Sequence, residues 1–302
     1  MKIRTVLVGA GRRVQIDILP SLLAAGILQS EILILRKKKL PLVNFNDVNV
    51  IIDCSDMEKF EFEDKCTLII NVDQKIVVGL LQNVLTYINP SFVFIDTPIN
   101  RVASEVNKIA NTKSLDLHVI EDGFLIPWLP LFKRHFLTQH FFAISYRAFY
   151  LFHGVASFRQ LIGNNFFGGR SFFKGKIFLC SNKYRGKIMQ FGSKDYSNGR
   201  FFWFFKGKLC YVGKKIKHEG ILKRVVVTDF ATEADTKLFS NYAMLLGIDF
   251  EKLMDNPIES MREWKRIGLY IGFESIVLNN INLFPDTKQI VENEIISGWD
   301  KG

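Results

Sequence analysis

The feature that most constrains this chain is an alternation over its first 122 residues. Short, continuously apolar runs alternate with segments whose apolar residues recur at helical spacing. The runs are "RTVLVGAG", "EILILRKKK", "VNVIIDCSD", "KCTLIINVDQ", "SFVFIDTP" and "LDLHVIEDG". The helical patterns between them are "RRVQIDILPSLLAAG", "KIVVGLLQNVLTYI" and "INRVASEVNKIANTKS". A strand that is apolar on both faces must be covered on both faces. Alternating elements of this kind therefore predict a parallel sheet with helices on each side. The fold class is α/β, with a doubly wound, Rossmann-type dinucleotide-binding domain over residues 1–122. Between Arg36 and Val48 the usual second helix is reduced to a loop around Pro41.

Beyond Asp122 the texture changes. "HFFAISYRAFYLFH" reads as an aromatic strand and "GVASFRQLIG" as a short helix stopped by Gly163. β-like runs follow: "SFFKGKIFLCS", "RGKIMQFGS", "GRFFWFFKGKLCYVG" and "LKRVVVTDF". From Ala231 the pattern is helical again, in "ATEADTKLFSNYAMLLG" and "PIESMREWKRIGLYIGFESIVLNNI". Consecutive strands followed by helices predict a second, α+β domain over residues 123–302, built on a mostly antiparallel open sheet.

With 302 residues the chain can bury two cores, and 48% hydrophobic with 23% charged residues is a globular composition. No apolar run approaches the ~18 residues of a membrane-spanning helix. The N-terminus enters a strand pattern directly, without a signal-peptide apolar core and cleavage site, so a cytoplasmic protein is expected. Cys54, Cys66, Cys180 and Cys210 have no metal-ligand spacing and are expected to be reduced core residues, with no metal site. The net charge of +10 is concentrated in Arg36-Lys37-Lys38-Lys39 and in the stretch from Phe166 to Arg224, which holds only Asp195 and Glu219 as acids. Such surfaces attract polyanions or merely solvate the fold.

The first strand ends in Gly9-Ala10-Gly11-Arg12-Arg13-Val14. In a strand-to-helix turn of this kind the first glycine permits the bend. The second lets the backbone approach a pyrophosphate at the helix N-terminus. Val14 replaces the third glycine, which would allow close helix–sheet packing. At the end of the second strand an acid would bond a ribose 2′-hydroxyl, and a basic residue would hold a 2′-phosphate. Here Leu33-Ile34-Leu35 leads into Arg36 and Lys37, with no acid. NADP(H) is therefore expected over NAD(H), with Arg12 or Arg13 closing over the adenine or the phosphates.

With that turn, "FIDTPINRVASEVNKIANTKSLDLHVIEDGFLIP" resembles the glucose–fructose oxidoreductase / inositol dehydrogenase (Gfo/Idh/MocA) family. Asp96-Thr97-Pro98 stands where the family has Glu-Lys-Pro, and "VIEDGFLIP" is similar to the segment after its sixth strand. "FHGVASFRQLIG" loosely matches its Gly-x-His-x-x-Asp helix motif. His153 falls at the histidine, Ala156 at the aspartate and Phe149 at an acid that some members use. The resemblance implies a nicotinamide-dependent oxidoreductase in which Gly9, Gly11, Asp96 and Pro98 border the cofactor. It also implies an open sheet that associates with other copies as a homodimer or homotetramer.

The resemblance further implies a lysine at the position of Thr97. Oxidising a secondary alcohol needs a base whose pKa lies near the working pH, which threonine does not supply. Reduction is not excluded, because a C=N bond or a conjugated system accepts hydride more readily. His153 is the expected proton donor, with Tyr150 and Tyr146 behind it, while Thr97 hydrogen-bonds the carboxamide or substrate. Glu121-Asp122 ends the sixth strand, where open α/β sheets bind ligands, and Asp122 is a substrate-side candidate or a turn residue before Gly123. His118 is a weaker candidate in the same strand.

"GRFFWFFKGKLCYVGKK" interleaves cations with aromatics. Aromatic–basic surfaces stack single-stranded nucleic acid, but no RNA-binding motif accompanies this one, and a subunit interface is expected instead. The residues leave three readings: an NADPH-dependent reductase of a small polar substrate, a non-catalytic relative that binds or assembles, and a polyanion-binding protein.

Overall fold

The structure is a computed structural model. It describes the chain apart from residues 1, 38–43, 122, 137–141, 149–150, 164–166, 171–175, 181–183, 191–199, 206–207, 216–221, 280 and 298–302, and describes the strands between residues 142 and 205 by their backbone. The chain forms two compact units. The first comprises Met1–Glu121 and Leu269–Glu292, the second Asp122–Gly268 and Asn293–Gly302.

In chain order the first unit contains β1 (Ile3–Val8), α1 (Leu19–Ala24), β2 (Ile32–Leu35), β3 (Asn49–Ile51), β4 (Phe62–Ile70), α2 (Gln74–Val84), β5 (Phe92–Asp96), α3 (Ala103–Lys113) and β6 (Asp116–Ile120). The six strands form one parallel sheet in the order β3-β2-β1-β4-β5-β6. This is the expected α/β architecture. The order reverses between β1 and β4, which opens a crevice at the carboxyl ends of the strands. Every residue of β2 and β5 is buried, as their unbroken apolar runs require. Each fully buried Leu, Ile, Val or Phe side chain contributes roughly 1.5–3 kcal/mol.

Local signals set the ends of the elements. Asp73 caps α2 by accepting from the Lys75 amide at 2.9 Å. α3 ends at Ser114 in a left-handed conformation, φ 52°. Leu269–Glu292 belongs to this unit through real contacts. Phe94 of β5 meets Phe284 edge-on at 5.0 Å, the Val119 amide donates to Pro285 O at 3.3 Å, and Thr287 Oγ1 donates to Asn107 Oδ1 at 2.9 Å.

The second unit adds α4 (Trp128–Phe136), β7 (Phe142–Ala148), α5 (Leu151–Ile162), β8 (Phe167–Arg170), β9 (Lys176–Cys180), β10 (Tyr184–Gln190), β11 (Arg200–Phe205), β12 (Lys208–Gly213), β13 (Leu222–Arg224), α6 (Glu233–Leu245) and α7 (Phe250–Asp255). Two further helices, α8 (Met261–Asn279) and α9 (Thr287–Ser297), have residues in both units. The second sheet runs β13-β12-β11-β7-β10-β9-β8. It is mostly antiparallel; β7 with β10 and β12 with β13 are the parallel pairs.

Two local details differ from the sequence reading. "GRFFWFFKGKLCYVG" is an antiparallel pair, β11 with β12, rather than one run. Only Leu222–Arg224 of "LKRVVVTDF" is a strand: the Asp229 carboxylate accepts from the Val226 amide at 2.8 Å and draws the chain into a 3₁₀ turn, Val227–Asp229. Arg224 ties that strand to α7 by donating to Asp255 O at 2.6 Å and to Asn256 Oδ1 at 2.8 Å. Trp264 anchors α8, donating to Leu253 O at 3.2 Å and meeting Phe239 edge-on at 4.9 Å. On α8, a Cβ added to Gly268 would lie 2.0 Å from Leu125 O, so the helix approaches that backbone as only glycine permits.

Candidate functional site

The site is built on the carboxyl edge of the first sheet. β1 ends at Gly9, whose φ is +103°. The Gly9 amide donates to Leu35 O of β2 at 2.8 Å, and the Asn71 amide donates to Val8 O at 2.8 Å. These bonds draw three strand ends together so closely that a Cβ on Gly9 would lie 2.2 Å from Asn71 O. Gly11 is different. It is exposed, and an added Cβ would meet only Asn71 Oδ1, at 3.8 Å. Among the described residues no packing contact demands glycine there, so its space is available to a ligand.

The chain then turns helical. Gln15 folds back, Nε2 donating to Ala10 O at 2.8 Å. A π-helical stretch, Val14–Ile18, leads into α1. Val14, standing where a third glycine would allow close packing, is fully buried and opens this widened stretch. Arg12 is exposed at the turn.

Beside the turn lies a cleft of about 970 Å³. Gly9, Ala10 and Leu35 form one side, Ile52, Asp53 and Cys54 a second, and Val72, Ile76 and Leu80 a third. Arg36 and Lys37 stand at its edge directly after β2, with Lys75 opposite on α2. The Arg36 amide donates to Ile51 O at 3.0 Å, which fixes this stretch of backbone at the rim. The two carboxylates at the cleft, Asp53 and Asp73, are both occupied as caps. Asp53 accepts from the Ser55 amide at 2.9 Å and from its hydroxyl at 2.7 Å, and these bonds hold its pKa below the usual carboxylate value. Asp73 caps α2. The Cys54 thiol is buried, and burial followed by the nearby Asp53 charge raises its pKa. A thiol in that state is a wall residue and not a nucleophile.

The crevice has a different character on its other side. β5 ends in Asp96, followed by Thr97 and a cis peptide to Pro98, both half-buried. Asp96 is 9% exposed. Its Oδ2 accepts from Arg13 Nε at 2.8 Å and from the Asn71 side-chain amide. Arg13 also lies 3.9 Å from Asp17 and so is held between two carboxylates. Asp96, Arg13 and Asn71 come from the end of β5, the start of the first helix and the end of β4.

The remaining candidates stand on other elements. His153 belongs to the second unit, buried on α5, its ring 4.4 Å from that of Phe152. The Ser157 hydroxyl donates to the His153 carbonyl at 3.0 Å. Ala156 is fully buried. Tyr146 lies on β7, in register with Ile188 of β10. Tyr150 and Asp122 lie outside the described residues. Glu121 is fully buried, and His118 pairs with Asp116 at the other end of β6. Among the described residues no group of His, Cys, Asp and Glu has the arrangement of a metal site, and no helix is long and apolar enough to cross a membrane.

One feature of the second unit carries no mark in the sequence. Arg159, Lys265 and Glu294 are charged yet almost wholly buried, and Arg159 Nε donates to Asn293 Oδ1 at 2.9 Å. Buried charges persist only with partners, and here the bonded pair is 134 residues apart in the chain.

No protein-family model matches this chain, and no curated protein does. Solved structures do match. An oxidoreductase from Bacillus cereus superimposes with a TM-score of 0.62 at 12% identity, over 100% of this chain and 96% of its own. A myo-inositol dehydrogenase from Corynebacterium glutamicum gives 0.60 at 10% identity, over 98% and 95%. A dehydrogenase (MviM) from Clostridium difficile gives 0.60 at 10%, over 100% and 99%. The chain therefore has the fold of Gfo/Idh/MocA dehydrogenases along its whole length, as the turn at Asp96 and the glycine turn implied.

Proposed function

We propose that this chain is an NADP(H)-dependent reductase acting on a C=O or C=N bond of a small polar molecule. The observation that carries the reading is the cleft beside Gly9, with Arg36 and Lys37 where a 2′-hydroxyl-binding acid would stand. Dehydrogenases of the same fold support an oxidoreductase.

The residues present fit the adenosine half of such a cofactor. The apolar walls suit a base, the open turn at Gly11 and Arg12 suits a pyrophosphate, and Arg36 with Lys37 suits a ribose phosphate. A nicotinamide, when bound, supplies hydride. This chain's residues must then orient the acceptor and provide a proton. Thr97 offers a hydroxyl at the end of β5 but no titrating group, so in this reading the proton comes from His153, with Tyr150 and Tyr146 as alternatives. Asp122 belongs to the substrate side of the same reading, and the second sheet pairs with another copy of the chain.

The test is a double substitution, Arg36→Gln with Lys37→Gln. At this open rim the charge-assisted bonds of Arg36 and Lys37 to a phosphate together contribute about 1.5–3 kcal/mol, so NADPH affinity falls roughly 10–100-fold while NADH affinity holds. An equal loss for both cofactors contradicts the assignment. A second reading, a non-catalytic binding protein, is favoured by Thr97 and by Ala156 at the family's lysine and aspartate positions. Cofactor binding without NADPH oxidation across a panel of ketones and imines would favour it.

A further inference from the structure

The two halves of the crevice are not in the same state. A doubly wound sheet binds a dinucleotide across the point where its strand order reverses, one mononucleotide over each half. Here that point lies between β1 and β4. Beyond the ends of β1, β2 and β3, and walled by Val72 after β4 and by Ile76 and Leu80 of α2, there is a cleft of about 970 Å³. Over the ends of β4 and β5 stand three side chains joined to one another. Arg13 donates to Asp96 at 2.8 Å, and Asn71 donates to the same oxygen. Arg13, Asp96, Thr97 and Pro98 take no part in lining the cleft. Asp96 stands at the carboxyl end of β5, the edge of the sheet where ligands bind, yet it is 9% exposed and bonded to Arg13 and Asn71.

We infer that the crevice as folded is complementary to an adenosine mononucleotide bearing a ribose phosphate, and that a nicotinamide half enters only when Arg13 leaves Asp96. The inference rests on the cofactor reading above and deepens it. The ligand class follows from the open half, which pairs apolar walls for a base with Arg36 and Lys37 for a phosphate. The obstruction follows from the closed half, where the Arg13 guanidinium is bonded to Asp96. Arg13 is also held by Asp17 at 3.9 Å, so it has a second carboxylate to rest on when it swings away. In this arrangement Arg13 is a specificity-determining residue. It separates ligands that fill one half of the crevice from ligands that need both.

The consequence is quantitative. When the competent state is a minor one, apparent affinity falls by its fraction, so a bridge open for about 10% of the time weakens dinucleotide binding about tenfold and leaves a mononucleotide untouched. The experiment measures dissociation constants of adenosine 2′,5′-bisphosphate and of NADPH by calorimetry, for the wild type and for Arg13→Ala and Asp96→Asn. In the wild type NADPH is expected to bind no more than threefold tighter than the bisphosphate. In both variants the ratio of the two affinities shifts about tenfold toward NADPH. Bisphosphate binding by the variants establishes that their first half is intact. Wild-type NADPH binding much tighter than the bisphosphate, with the ratio unmoved or reversed in the variants, would overturn the gate and make Arg13 a direct cofactor contact. Binding of neither ligand by any of the three proteins would instead remove the cofactor reading, and the gate with it.

Discussion

Gly9 and Asn71 are locked together: the Asn71 carbonyl oxygen occupies the place, 2.2 Å away, where any Cβ on Gly9 would begin to clash. The contact follows from the hydrogen bonds that draw β1, β2 and β4 to one edge, and Gly9 meets it with a φ of +103°. Gly9→Ala is therefore expected to destabilise the protein by roughly 2–4 kcal/mol, combining left-handed strain with overpacking against backbone. Gly11→Ala meets no atom of the described residues closer than 3.8 Å and should leave stability within about 0.5 kcal/mol, while weakening nucleotide binding. Urea unfolding of the two variants distinguishes these roles. Equal losses of stability would mean that both glycines serve the fold.

The N-terminus of α6 gives a pH-dependent prediction. Thr232 and Asp235 form a reciprocal cap, Thr232 Oγ1 accepting from the Asp235 amide at 3.1 Å and the Asp235 carboxylate accepting from the Thr232 amide at 3.0 Å. The backbone bond from Thr232, then its hydroxyl, lowers the Asp235 pKa below its ordinary 3.8. A depressed carboxylate stabilises the fold above its unfolded pKa and loses that contribution as pH falls through the folded one. Asp235→Asn should therefore cost about 1 kcal/mol at pH 7, and the gap from wild type should close below pH 3.8. Thermal melts at pH 7 and pH 3 measure it; a gap independent of pH would contradict the carboxylate's role.

The thiols give a third prediction. Burial pushes the Cys66 thiol up to about 12 and also raises the pKa of Cys54 and Cys210. At pH 8 these three thiols should stay unreacted toward a disulfide reagent in the native protein and titrate only on addition of guanidinium. Prompt labelling of Cys54 in the native state would show that the cleft wall opens on the timescale of the assay.

The first sheet was legible because β2 and β5 are almost wholly apolar. "ILIL" and "FVFID" have no polar face, and only a parallel sheet covered on both sides buries such segments. Gly163, with φ +81°, ends α5 where the sequence placed a stop. The helix Trp128–Phe136 left no such trace: aromatics fill it, and Pro130 sits in its first turn, the one place where a helix tolerates proline. The split of the aromatic–basic run into β11 and β12 was hidden by apolar residues on both sides of Lys206-Gly207-Lys208.

The candidate site divides along similar lines. The glycine turn and the basic tip of β2 are local features, and local features can be read from one stretch of chain. The Arg13–Asp96 bridge joins residues 83 apart, and nothing around either residue names the other. The same holds for Arg159 and Asn293. Long-range polar pairing depends on a finished fold, so a sequence supplies the charges and leaves their partners open.

The measurement that bears most directly on the proposed function is a titration of the wild-type protein with NADPH and, separately, NADH, followed by nicotinamide fluorescence. The account predicts NADPH binding at least about tenfold tighter than NADH, the difference of roughly 1.4 kcal/mol that one ribose phosphate held by Arg36 and Lys37 supplies. Equal affinity for the two, or tighter binding of NADH, would contradict it.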